Sequence, residues 1–164
     1  MRTYINGPAT INRPAIRWYV VANRTDAIIY RDGDNHKFQP VEHLLNSEGN
    51  KKEKDLDSDR PGKSFSNVPG GTYKHPMVGE HQRHDETVRR FSNRISKTLD
   101  AARSRGEFDE LVLVAEPHFL GMMKNSLSEP LKKRVAHQLP REFMDTDRHL
   151  RSKILEAIRA GVTH

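Results

Sequence analysis

The chain has 164 residues, of which 34% are hydrophobic and 30% charged, with a formal net charge of +6. That length and balance fit one soluble domain with its own core and sizeable polar loops. Cysteine is absent, which excludes disulfides, thiol catalysis and Cys-type zinc sites, and no apolar run reaches the ~18 residues of a transmembrane helix, so no membrane insertion is expected.

Residues 1–14 contain Gly7, Pro8 and Pro14 without a sustained period, and they read as an N-terminal extension ahead of a single domain over 15–164. The extension lacks the continuous apolar stretch of a signal peptide, so a cytoplasmic location is expected. Residues 16–24 (IRWYVVANR) are rich in β-branched and aromatic side chains and predict a strand. Thr25-Asp26 is a turn, and AIIY over 27–30 is a second strand completing a hairpin. Residues 31–35 (RDGDN) carry a strong turn signal. Residues 36–45 predict a third strand, in which Pro40 marks an edge position or a bulge.

A polar loop then runs over about 46–79, long for a compact domain and of the kind that carries function. After it, Val88, Phe91, Ile95, Leu99 and Ala102 recur at helical spacing and predict an amphipathic helix over about 80–104, stopped at Gly106. The run LVLVA at 111–115 predicts a central strand covered on both faces. Glu116-Pro117 ends it and opens an apolar helix through Phe119, Leu120, Met122, Met123 and Leu127. Ser128-Glu129-Pro130 caps a short helix to about 136, residues 137–143 form a last short strand, and Leu150, Ile154, Leu155 and Ile158 mark a closing helix. A hairpin followed by helix-linked strands predicts a three-layer α/β/α fold with a mixed sheet.

Several chemistries fail on spacing. Gly62-Lys63-Ser64 is not a phosphate loop, because Asp57 occupies the position of the required first glycine and neither a strand nor a helix flanks it. His75, His81, His84 and Asp85 lie near one another in sequence but in no closed ligand spacing, so no metal and no cofactor is expected. The first strand holds no carboxylates for a two-metal nuclease, and no G-x-S-x-G elbow occurs. The basic residues are more informative. Arg83, Arg90, Arg94 and Lys97 fall within about one-sixth of the helical circumference, well away from the Val88/Phe91/Ile95 face. Such a stripe suits backbone phosphates, which Lys and Arg bind without reading sequence.

The strand WYVVANRTDAIIY, the loop core SDRPGKSF, the Gly-Gly pair before His75 and the block GEFDELVLVAEPHFLGMMKNSLSEPLKKRV, in that order, resemble the bacterial host attachment family. The resemblance runs from about Trp18 to the C-terminus. It implies a relationship to the central domain of archaeal and eukaryotic-type peptide-chain release factors, and with it a ribonuclease H-like α/β/α arrangement. In those factors a long loop in the same topological place carries Gly-Gly-Gln into the ribosomal peptidyl-transferase centre. Here Gly70-Gly71 is the nearest counterpart, and Thr72 stands where the glutamine would be. Hydrolysis of peptidyl-tRNA by that route lacks its water-positioning residue, so a non-catalytic module is expected.

The resemblance thus implies a release-factor-like module that binds the ribosome, or its transfer or ribosomal RNA, through the Gly-rich basic loop. The expected contact residues are Asp59, Arg60, Pro61, Gly62, Lys63, Ser64 and Phe65, then Gly70, Gly71, Thr72, Lys74 and His75, with the helix stripe Arg83, Arg90, Arg94 and Lys97. Arg and Lys would meet phosphates, and glycine lets backbone approach RNA closely. The alternative carried by the family's name is an interaction protein needed indirectly for attachment to host cells, without RNA binding.

Overall fold

A computed structural model describes residues 13–48, 77–143 and 149–161, with side chains in the long helix taken from Gln82 onward. The strands are β1 (Arg17–Ala22), β2 (Asp26–Asp32), β3 (Phe38–Leu45), β4 (Glu110–Ala115) and β5 (Val135–Pro140). The helices are α1 (Met77–Ser104), α2 (Pro117–Ser126), the short α3 (Glu129–Lys132) and α4 (Leu150–Arg159). The strands form one five-stranded sheet in the order β3-β2-β1-β4-β5. β1 pairs antiparallel with β2, and β2 antiparallel with β3, whereas β4 runs parallel to both β1 and β5. The sheet is therefore mixed, as the hairpin and helix-linked strands predict.

Alternation along the strands divides the core between two faces. Trp18, Val20 and Ala22 of β1 and Leu111, Leu113 and Ala115 of β4 pack with Val88, Phe91, Ile95, Leu99 and Ala102 of α1 and Phe119, Leu120 and Met123 of α2. Tyr19, Val112, Val114 and Leu139 point the other way, onto Leu150, Ile154 and Ala157 of α4. Helices thus cover both faces, giving three layers. Leu111 through Ala115 are all fully buried, which is why β4 reads as an unbroken apolar run and not as an alternating one. On the far face, Arg151 Nε donates to Asp32 Oδ1 at 2.7 Å and ties α4 to the end of β2.

β3 is an edge strand, and its register against β2 shifts between Ile29 and Tyr30, where Tyr30 pairs with Pro40. Pro40 therefore sits beside a bulge on an edge, where its missing N–H costs no interior ladder bond. α1 ends in a Schellman motif: Gly106 N–H donates to the Arg103 carbonyl at 2.9 Å and Glu107 N–H to the Ala102 carbonyl at 3.1 Å. Gly106 has φ +69°, with open space where a Cβ would stand. Gly106→Ala should accordingly cost about 1 kcal/mol from backbone strain alone, read as a lower urea midpoint at unchanged slope.

The differences from expectation are boundaries. Arg31 and Asp32 belong to β2, paired with Gln39 and Phe38. β3 starts at Phe38 and not at 36, because Asn35 and His36 turn through positive φ values of 60° and 57°. α1 starts at Met77, three residues before the expected 80. The short helix closes at Lys132 rather than 136, since Val135 already pairs with Leu111; β5 thus starts two residues early and stops at Pro140. Residues 1–12 of the expected extension lie outside the described residues. Within 13–16, Arg13 reaches Asp109 at 3.2 Å and the Ile16 N–H donates to Asp109 Oδ2 at 2.8 Å. No helix of the described residues is long and apolar enough to cross a membrane.

Candidate functional site

The C-terminal ends of β1, β4 and β5, the start of β2 and the end of β3 share one rim of the sheet. Helix α1 descends from that rim to Gly106, so the chain between Glu48 and Met77 both leaves and rejoins the domain there. The side chains of Gln82 to Asp85 are exposed, burial begins at Glu86, and it is complete at Val88. The α1 side chains from Gln82 to Asp85, about one turn, therefore precede the part of the helix that packs on the sheet.

The rim itself is a hydrogen-bonded platform. Asn23 Oδ1 accepts from the N–H groups of Thr25 at 2.8 Å and Asp26 at 2.7 Å, an Asx turn that closes the β1–β2 connection. The Thr25 hydroxyl lies 2.9 Å from Asn23 Oδ1 and 2.8 Å from Asp26 Oδ2. His43 Nε2 lies 3.0 Å from Asp26 Oδ1. Asn46, only 3% exposed, bolts the end of β3 to this turn. Its Nδ2 donates to the Arg24 carbonyl at 2.9 Å and its backbone N–H to the Thr25 carbonyl at 2.8 Å.

From the other side, Arg24 reaches Glu116 at 3.3 Å. Glu116 is the N-cap of α2, and its carboxylate accepts from the N–H groups of His118 and Phe119, each at 3.0 Å. Burial pushes this carboxylate upward, but the two backbone N–H groups and Arg24 together hold it below its ordinary value of 4.5. A folded value that is the lower one gives stability present in full above the unfolded value and lost as pH falls through the folded value. Glu116→Ala should cost about 1 kcal/mol at neutral pH. The cost should fade as acid protonates the wild-type carboxylate, which urea midpoints at pH 7 and pH 3 will show.

Two open clefts flank the start of α2. One, of roughly 430 Å³, is lined by Asn23, Arg24, Thr25, Glu116 and Glu142. The other, of roughly 420 Å³, lies between α1 and α2 and is lined by Gln82, Asp85, Glu86, Arg89, His118 and Met122. Each holds two carboxylates against one guanidinium, so neither is a basic groove. Among the described residues no group of three or more His, Asp or Glu side chains comes together to hold a metal ion.

The expected contact residues divide sharply. Asp59, Arg60, Pro61, Gly62, Lys63, Ser64, Phe65, Gly70, Gly71, Thr72, Lys74 and His75 lie outside the described residues. Arg83, Arg90, Arg94 and Lys97 are all exposed on α1, opposite its packed face. Two of the four already have protein partners. Arg90 lies 3.3 Å from Glu86 and 3.5 Å from Glu48, while Arg94 donates to the Leu45 carbonyl at 3.0 Å and its guanidinium lies 5.8 Å from the Phe91 ring centroid. The stripe is thus less free to meet an external anion than its spacing suggests.

The rim platform was the feature that sequence reasoning missed. Its signals were modest: the Asn-x-Thr-Asp run after β1, a Glu directly before Pro117, and an isolated Asn closing β3. None of them says which groups meet.

No curated protein matched the chain in a sequence comparison. A family model described as "Protein required for attachment to host cells" matches residues 18–153, from the second residue of β1 through the other four strands and into α4. The chain belongs to the family of proteins required for attachment to host cells.

Proposed function

We propose that this domain is a cytoplasmic, non-catalytic, release-factor-like module that binds the ribosome or its RNA through the segment between Glu48 and Met77. The observation that carries the proposal is that β3 ends and α1 begins at the same rim of a three-layer domain, so both flanks of the inserted segment belong to that rim. A mixed sheet with a hairpin at one end, parallel strands at the other and helices on both faces also supports a ribonuclease H-like arrangement of the release-factor kind.

Both clefts at the rim are acidic, so phosphate contacts fall to Arg60, Lys63 and Lys74 of the segment and to the outer stripe at Arg83 and Lys97. Gly70-Gly71 would let backbone approach RNA, and Thr72 in place of glutamine removes the group that positions an attacking water. Co-sedimentation with purified ribosomes tests the proposal. Binding that is strong at 50 mM salt and falls at least about tenfold by 200 mM supports phosphate contact. Absence of binding at low salt removes it. In that case, loss of host attachment in a deletion strain with unchanged translation would indicate a protein partner instead.

A further inference from the structure

We infer that the free edge of β3 is closed to strand pairing with a second copy of this chain by three guards: Pro40, the register shift beside it, and Arg94. The inference is independent of what the inserted segment binds. Among the described residues β3 has a neighbour on one side only. The strand is eight residues long and mostly exposed. Val41 and Leu45, 38% and 48% exposed, are two of the three large apolar side chains that stand out among the described residues. Such an edge is a template for another strand. The same edge of a second copy, related by a two-fold axis, presents an antiparallel strand of matching length.

The bonds that β3 makes inward decide which backbone groups face outward. Gly33 N–H donates to the Lys37 carbonyl at 2.8 Å, and Asn46 N–H to the Thr25 carbonyl at 2.8 Å. Across the trans peptides of these residues, N–H and C=O point opposite ways. The Phe38 N–H and the Leu45 carbonyl therefore point away from β2. Phe38, Gln39 and Pro40 pair in unbroken register with Asp32, Arg31 and Tyr30, and outward groups recur every second residue. The Pro40 nitrogen thus faces the free edge, where it has no hydrogen to donate. The register then shifts, with Val41 as the extra residue between Pro40 and Glu42. Outward positions consequently run Phe38, Pro40, then His43 and Leu45, and a straight partner strand meets only half of them in phase. The last acceptor is already taken, because Arg94 Nη1 donates to the Leu45 carbonyl at 3.0 Å. The Phe91 ring, 5.8 Å from the guanidinium, helps to hold Arg94 there.

Sedimentation velocity over a range of concentrations tests the guards. The wild type should remain a monomer throughout. Pro40→Thr combined with Arg94→Ala restores the donor and frees the acceptor on each copy, so self-association should tighten at least about tenfold. A double variant that stays as monomeric as the wild type overturns the inference, and so does a wild type that already pairs through β3.

Spin labels then locate the contact. The chain has no cysteine, so Val41→Cys or Ala136→Cys in the double-variant background carries a single nitroxide. Ala136 is exposed on β5, the opposite edge of the sheet. Paired strands lie about 4.8 Å apart, so dipolar broadening should come from position 41 and not from position 136. Broadening from position 136 alone, or equally from both, overturns the inference, since it marks the other edge or general aggregation. Emission from Trp18, the sole tryptophan and 4% exposed, reports whether each variant is folded. If the double variant does not fold, Arg94→Ala alone decides, because it changes only an exposed side chain. Tighter association of that variant supports the guard, and wild-type behaviour overturns it.

Discussion

Alanine at Phe91 should destabilise the domain by about 3–5 kcal/mol, a large share of the ~5–15 kcal/mol that holds a domain of this size. Phe91 is 1% exposed at the centre of the α1 face and lies 6.1 Å, centroid to centroid and near parallel, from the ring of Phe119 on α2. Removing it opens a void that two helices and the sheet must share, and close-packed interiors relax only partly around such a loss. Urea unfolding monitored by circular dichroism will read the change as a fall in midpoint. A cost below about 1 kcal/mol would mean that α1 is not the helix that completes this layer. The effect should appear irrespective of what the domain binds, because it tests the fold alone.

Arg60→Ala combined with Lys63→Ala should weaken ribosome binding about ten- to a hundredfold at low salt. It should also lower the slope of log affinity against log salt by about 1.5, since each phosphate contact contributes roughly 0.7–0.9 to that slope. The slope is the more telling quantity. A variant that binds less because it is partly unfolded keeps the slope, whereas one that has lost two phosphate contacts does not. The same pair of changes should leave the urea midpoint of the Phe91 layer where it was, and that comparison separates contact from folding. An unchanged slope with reduced affinity would place the phosphate contacts elsewhere, with Arg83 and Lys97 on α1 as the next pair to test.

What could be read in advance follows from how locally each feature is encoded. β4 is legible because LVLVA is short, partly β-branched and bounded by Gly106 and Pro117, which together favour a strand covered on both sides over a buried helix segment. The buried stripe of α1, its glycine stop and the Pro117 start of α2 are equally local, each resting on a spacing or a backbone constraint within a few residues. Pro40 is legible for the same reason, because a proline inside a strand restricts where that strand can lie.

The short α3 and β5 are less so. Leu131 and Leu139 are both fully buried, and a short apolar run between helix and strand does not say where one period gives way to the other. Only the pairing of Val135 with Leu111 decides it.

The rim was opaque for a different reason. Asn23, Asn46 and Glu116 are ordinary polar residues in sequence, and their meaning comes from contacts that cross from β3 to β1 and on to α2. The helical wheel likewise places Arg90 and Arg94 correctly on the outer face, but it cannot show that Glu48 and the Leu45 carbonyl wait beside them. Position on an element is a local property, whereas the partner that spends or spares a charge is not. A basic stripe on a helix is therefore a weaker sign of an RNA surface than its spacing alone implies, and the burden shifts to the inserted segment.

The most direct test of that burden is a photo-activatable cross-linking residue placed at position 72, beside Gly70-Gly71, in protein mixed with purified ribosomes and irradiated. The account predicts adducts to ribosomal or transfer RNA that disappear in the Arg60→Ala, Lys63→Ala background, with none from the same cross-linker placed at exposed Glu156 of α4, which packs on the sheet face opposite α1. Adducts only to non-ribosomal proteins of an added cell extract, or equal yields from positions 72 and 156, would contradict it.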